Sequence, residues 1–188
     1  MNLFKKFFPK QKKFIESKRD VSEEENYDEE GECSETMKKI MNLPEYDELS
    51  SLPPLAIIYP DEAYKRLENL KRKIPGYAYI YYVCAIMQIN TMNISKERLL
   101  SMLEGYNRDD LMTDFEKQEF DKLPHMITIY RGTPHYEQEV GLFWSLDKKI
   151  AEKYTKGSGN LQTRTINKEQ ILVYLCENTD EQEIWYKE

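Results

Sequence analysis

The chain has 188 residues, 40% of them hydrophobic, and a formal net charge of −7. That length suits one domain with appendages, and no run of 18 apolar residues exists to span a membrane. Three widely spaced cysteines and two histidines argue against a disulfide framework or a zinc site and fit a reducing compartment.

The charge is unevenly spread. Residues 1–20 carry seven basic side chains against two acids, and residues 21–36 carry eight acids and no base. Phe4, Phe7, Phe8, Phe14 and Ile15 lend the basic head some apolar character, enough to touch a partner or an anionic surface. No apolar core or small-residue cleavage site follows it, so export is not expected and a cytoplasmic location is. The acidic run is too charged to pack. Residues 1–36 are therefore expected to be a disordered tail, and residues 37–188 a single domain.

Within that domain, helices are expected over 37–123. A short one covers Thr36 to Leu43, and Pro44 and Pro53-Pro54 are expected to interrupt the chain. Pro60-Asp61-Glu62 opens the next helix, with Tyr64, Leu67 and Leu70 on one face, and Pro75-Gly76 ends it. Tyr77 to Ile89 is apolar and tyrosine-rich, so period alone does not separate helix from strand; its length favours helix. Ser95 caps a helix over Lys96 to Tyr106, and Thr113-Asp114-Phe115-Glu116 is a capping box that starts another.

Beyond Pro124 the texture becomes β-rich. Met126 to Tyr130 reads as a strand that stops at Arg131-Gly132, and Gly141 to Ser145 as a second. Asp147 caps a helix from Lys148 to Lys156, and Gly157 to Asn160 is a turn. Leu161–Ile166, Ile171–Cys176 and Glu183–Tyr186 are three further strands. Helices first and strands later make an α+β fold.

Three short patterns lie at the ends of these strands: Tyr130-Arg131-Gly132, Phe143-Trp144-Ser145-Leu146 and Glu181-Gln182-Glu183. Singly each has an ordinary explanation, as a turn, a helix cap and a solvated acidic face. In this order and spacing they resemble the Arg–Ser–Glu class of ADP-ribosyltransferases over about residues 125–188. The resemblance implies a helical part at 37–123 and a mainly antiparallel, split β-sheet core at 124–188 that binds NAD. It implies a mono-ADP-ribosyltransferase, a glycosyltransferase that splits the nicotinamide–ribose bond and passes ADP-ribose to a macromolecule. A protein side chain, arginine among the candidates, is the favoured acceptor, with nucleic acid the second choice.

Residue by residue, the resemblance assigns Arg131, with Gly132, to the NAD phosphates and Ser145 to support of the catalytic acid. Glu183 is assigned to the nicotinamide ribose and Glu181 to the acceptor. Trp144 and Tyr154, with Phe143, are aromatic candidates for stacking on nicotinamide, with core packing as their ordinary alternative. Trp144 and Leu146 depart from the family's common Ser-Thr-Ser, which keeps one serine of the three.

The chemistry suits these residue types. Splitting the glycosidic bond develops an oxocarbenium-like cation, which a fixed carboxylate stabilises. A guanidinium presents forked donors to phosphate oxygens that lysine does not copy. Acids two apart on an extended strand share a face, so Glu181 and Glu183 reach one pocket if the strand extends back to Glu181. No metal is required. The alternatives are an NAD glycohydrolase and an inactive interaction protein of the same fold. The histidine-containing branch is disfavoured, because His125 and His135 flank the first strand instead of ending one. A small transferase of this type suits a bacterial toxin or a phage effector.

Overall fold

The structure, a computed structural model, describes residues 34–89, 94–134, 141–157, 159–177 and 182–186. The basic head and acidic run at 1–33, His135, Glu181 and Cys33 lie outside the described residues. Ser34 opens the first helix: its Oγ accepts the Met37 amide at 3.2 Å, and α1 follows over Glu35–Met41. Thr36 and Met37 are buried, so the packed chain begins slightly before residue 37.

Pro53 and Pro54 do not interrupt the chain. They lie inside α2 (Tyr46–Ile58). An interior proline removes one helical bond and costs about 3 kcal/mol. Leu49 and Leu52 are fully buried, with Pro53 and Ala56 beside them, and each buried leucine returns about 1.5–3 kcal/mol. Tertiary burial outweighs local propensity here. Pro60 sits in the first turn of α3 (Pro60–Leu70), where it is tolerated, and Tyr64, Leu67 and Leu70 are buried as expected. The chain then reverses through Arg72, whose φ is 68°. Helix α4 (Gly76–Ile89) resolves the ambiguity of the tyrosine-rich segment: Tyr79, Tyr82, Val83 and Ile86 are fully buried.

The described residues form two compact units. One holds the chain up to Ile74 together with 78–89. The other holds 75–77 and everything from Ile94 onward. The helices α5 (Lys96–Leu103), α6 (Arg108–Leu111) and α7 (Asp114–Asp121) therefore group with the sheet, not with the earlier helices. Ser95 and Thr113 cap α5 and α7 as their sequences predict, with the reciprocal Thr113–Glu116 box complete.

Five strands follow: β1 (Met126–Thr133), β2 (Phe143–Ser145), β3 (Asn160–Asn167), β4 (Ile171–Leu175) and β5 (Glu183–Tyr186). They form one sheet in the order β3-β1-β2-β5-β4, antiparallel at every pairing. Helix α8 (Lys148–Tyr154) is capped by Asp147, whose Oδ1 accepts the Lys149 amide at 2.7 Å. The fold is thus α+β, a mixture of helices and one antiparallel sheet. Among the described residues, no helix is long and apolar enough to cross a membrane.

The pairing is uneven. β1 and β3 pair continuously from Met126–Asn167 to Thr133–Asn160, whereas β1 and β2 share the single pair Tyr130–Ser145. β1 runs on past its expected end, because β3 supplies partners for Arg131 (Gln162) and Gly132 (Leu161). One face of the sheet carries Ile127, Ile129, Trp144, Ile166, Ile184 and Tyr186, packed with Met112 and Phe120 into the core. Gly132 belongs to the other face, where a side chain would run into the Ala151 carbonyl of α8. The helix packs on β1 there because the position is bare.

Candidate active site

Strand register brings two of the expected residues together. Ser145 pairs with Glu183 across β2 and β5, and with Tyr130 across β1 and β2. The Leu146 amide donates to the Gln182 carbonyl at 3.2 Å, and the Tyr186 amide to the Leu142 carbonyl at 2.9 Å. Ser145 and Glu183 therefore form a non-hydrogen-bonded pair, the kind in which antiparallel side chains stand closest. Such pairs hold their Cβ atoms about 4.5–5.5 Å apart on one face.

Each of the two is also tied locally. Ser145 is buried, and its Oγ accepts the Asp147 amide at 2.9 Å at the entry to α8. The ordinary reading of a serine before a helix is thus met in part, although Asp147 holds the formal cap. Glu183 is half-buried, and its Oε1 accepts the Trp185 indole N–H at 2.6 Å. Trp185 is fully buried and stands edge-on to Phe143, with ring centroids 4.9 Å apart.

Arg131 arrives at the same level from the other side. It follows Tyr130, so alternation along β1 turns it to the face opposite Ser145 and Glu183. Continuing the register past Tyr130–Ser145 would set Gly132 opposite Phe143, yet no second bridge forms. The Phe143 carbonyl accepts instead from Arg131 Nη1 at 3.1 Å. The guanidinium lies against the bare Cα of Gly141, where any side chain would collide with it. Arg131 thus occupies the parting between β1 and β2 just beyond their single bridge.

The remaining expected residues are more scattered. Trp144 is 2% exposed in the core, on the face away from Ser145. Its indole N–H donates to the Gly141 carbonyl at 3.1 Å, and the Arg164 guanidinium lies 5.4 Å from its ring centroid. It packs, and it supports Gly141 beneath Arg131. Tyr154 ends α8 and is exposed. Glu181 lies outside the described residues. The extended geometry that was to link it to Glu183 stops at Gln182, whose φ is 35°. Left-handed backbone costs a non-glycine residue about 1–2 kcal/mol, and it breaks strand alternation at that point.

Glu116 was read only as part of a capping box, yet it does more. Its Oε2 accepts the Thr113 amide at 2.9 Å, while Oε1 accepts the amides of Cys176 and Glu177 at 3.1 and 3.4 Å. Burial pushes its carboxyl above the usual range, the Glu177 carboxylate adds to this, and the three backbone N–H groups oppose it. One buried acid therefore ties α7 to the end of β4, where the chain turns toward Glu183. Burial also raises the nearby Cys176 thiol to about 11, which leaves it protonated and unreactive at neutral pH.

Trp185 and Gly141 were likewise missed. Glu-x-Trp within a strand does signal two side chains on one face, but the signal is common. A glycine before a strand says nothing of what lies against it. The contact from Glu116 spans sixty residues, and no local pattern reveals it.

Compared with protein-family models, curated proteins and solved structures, the chain matches none. The site's geometry stands alone. Among the described residues no group of three or more histidines, cysteines or carboxylates is placed to hold a metal ion. What the arrangement offers is a fixed carboxylate beside a serine on one face and a guanidinium at the adjacent strand parting. The carboxylate suits a developing cation and the guanidinium an anion.

Proposed function

We propose that the chain is an NAD-dependent mono-ADP-ribosyltransferase of the Arg–Ser–Glu type. The observation that carries the reading is the cross-strand register Tyr130–Ser145–Glu183, which aligns three separated sequence patterns at one level of the sheet. NAD has a dianionic pyrophosphate at its middle and a nicotinamide ribose at one end. In this reading the pyrophosphate meets Arg131 at the β1–β2 parting, and the ribose meets Glu183. The nicotinamide–ribose bond breaks, nicotinamide leaves with the bonding electron pair, and Glu183 stabilises the oxocarbenium-like sugar. The acceptor nucleophile adds to that carbon and loses a proton, with Glu181 as the group proposed to position it. Trp144 has no stacking role here, because its ring is spent in the core.

The test uses NAD labelled in its adenosine half, incubated with the protein and a cell extract. Labelled protein or nucleic acid is expected, and Glu183→Gln should lose both label and NAD cleavage by about 100-fold or more. Glu181→Ala should lose transfer while retaining NAD hydrolysis. Nicotinamide release without any label would replace the transferase by a glycohydrolase. No cleavage with any extract would overturn the reading.

A further inference from the structure

Glutamate is a mobile residue on which to build a site. Its long side chain loses rotamer entropy when held in one conformation. A carboxylate that must meet a ligand in one direction therefore needs something to hold it. On β5 that something is two residues away. Glu183 and Trp185 share a face by strand alternation, and the indole N–H donates to Glu183 Oε1 at 2.6 Å. This is slightly shorter than the usual charge-assisted N–H···O bond.

The donor itself is tightly packed. Trp185 has no exposed surface, Phe143 stands edge-on to it at 80°, and Val173 pairs with it from β4. An indole N–H only donates, and here its acceptor is Glu183 Oε1. Packing on three strands thus fixes the indole, and the indole fixes the acid.

We propose that Trp185 is a positioning residue whose buried N–H sets the rotamer of Glu183, and with it the direction in which this carboxylate meets a ligand. The proposal rests on the reading of Glu183 as the ligand-contacting acid. It makes the strand pattern Glu-x-Trp a unit in which the second residue acts through the first.

The wild-type protein supplies the first measurement. The Trp185 indole ¹⁵N–¹H resonance should titrate with the ¹³C-labelled side chain of Glu183, sharing its midpoint, and should become independent of pH in Glu183→Gln. An indole resonance that ignores pH through the carboxylate range in the wild type overturns the proposal. Trp185→Phe then removes the donor and keeps most of the packing. The Glu183 midpoint should move upward, and the acid limb of NAD cleavage should move with it. At neutral pH kcat should fall about tenfold, with KM within about twofold. Val173→Ala loosens the same packing but keeps the donor, and should move the midpoint far less than Trp185→Phe does. A midpoint unchanged in Trp185→Phe, or moved equally in Val173→Ala, overturns the role. Coupled titration in a protein that cleaves no NAD supports the positioning of Glu183 and removes the transferase reading.

Discussion

At the scale of single residues, the site depends on what is missing as much as on what is present. Arg131 occupies its place because Gly141 has no side chain there, and Trp144 holds the Gly141 carbonyl from below. Gly141→Ala drives a methyl group into the guanidinium. In the proposed function this should raise KM for NAD about tenfold, with a smaller effect on kcat, as steady-state kinetics will read. Arg131→Lys keeps the charge but loses the fork, and should show the same direction. Equal KM in wild type and Gly141→Ala would separate Arg131 from the ligand. Sequence singled out Arg131, Ser145 and Glu183 by the spacing of three patterns, which is a linear property. It did not make their faces legible. Whether Arg131 points with Ser145 or away from it depends on register, and register is set by partners tens of residues distant.

At the scale of elements, several helix starts followed their local chemistry where a capping residue stood. Ser95, Thr113 and Asp147 each start the helix their type predicts, and β5 spans the residues expected of it. Two failures have physical causes. Pro53 and Pro54 are helix breakers by propensity, and buried leucines override them. β1 outruns its Arg-Gly because a long partner strand continues beside it. The tie between α7 and β4 makes a sharper prediction. Glu116→Ala strands three partly buried amides and should cost about 1–3 kcal/mol in urea unfolding. Because burial raises the Glu116 carboxyl in the fold, its contribution is full below the ordinary carboxylate value. It declines as pH rises through the higher folded value. The difference between wild type and Glu116→Ala should therefore be larger at pH 4 than at pH 7. A difference that grows with pH would contradict the direction given for Glu116.

At the scale of the molecule, α+β order was readable because helical and strand texture change near Pro124. The grouping into units was not, since α5 to α7 read as a continuation of the earlier helices yet belong with the sheet. The extremes of charge fall in residues 1–33, while every residue of the candidate site lies beyond position 130. Removal of residues 1–33 should leave the rate of NAD cleavage within about twofold of the full chain, measured with NAD alone. A collapse of turnover would bring the tail into the chemistry.

The single pair Tyr130–Ser145 has a mechanical meaning. A sheet resists shear and opening in proportion to the rungs that cross each seam. Here one seam has eight paired positions and the neighbouring one has one. The backbone ladder between β1 and β2 is thus a single rung at Ser145, and the seam is otherwise closed by the Arg131–Phe143 hydrogen bond and by the shared core. That lone rung and the candidate site share Ser145. Separating β1 from β2 would therefore break fewer backbone bonds than separating β1 from β3.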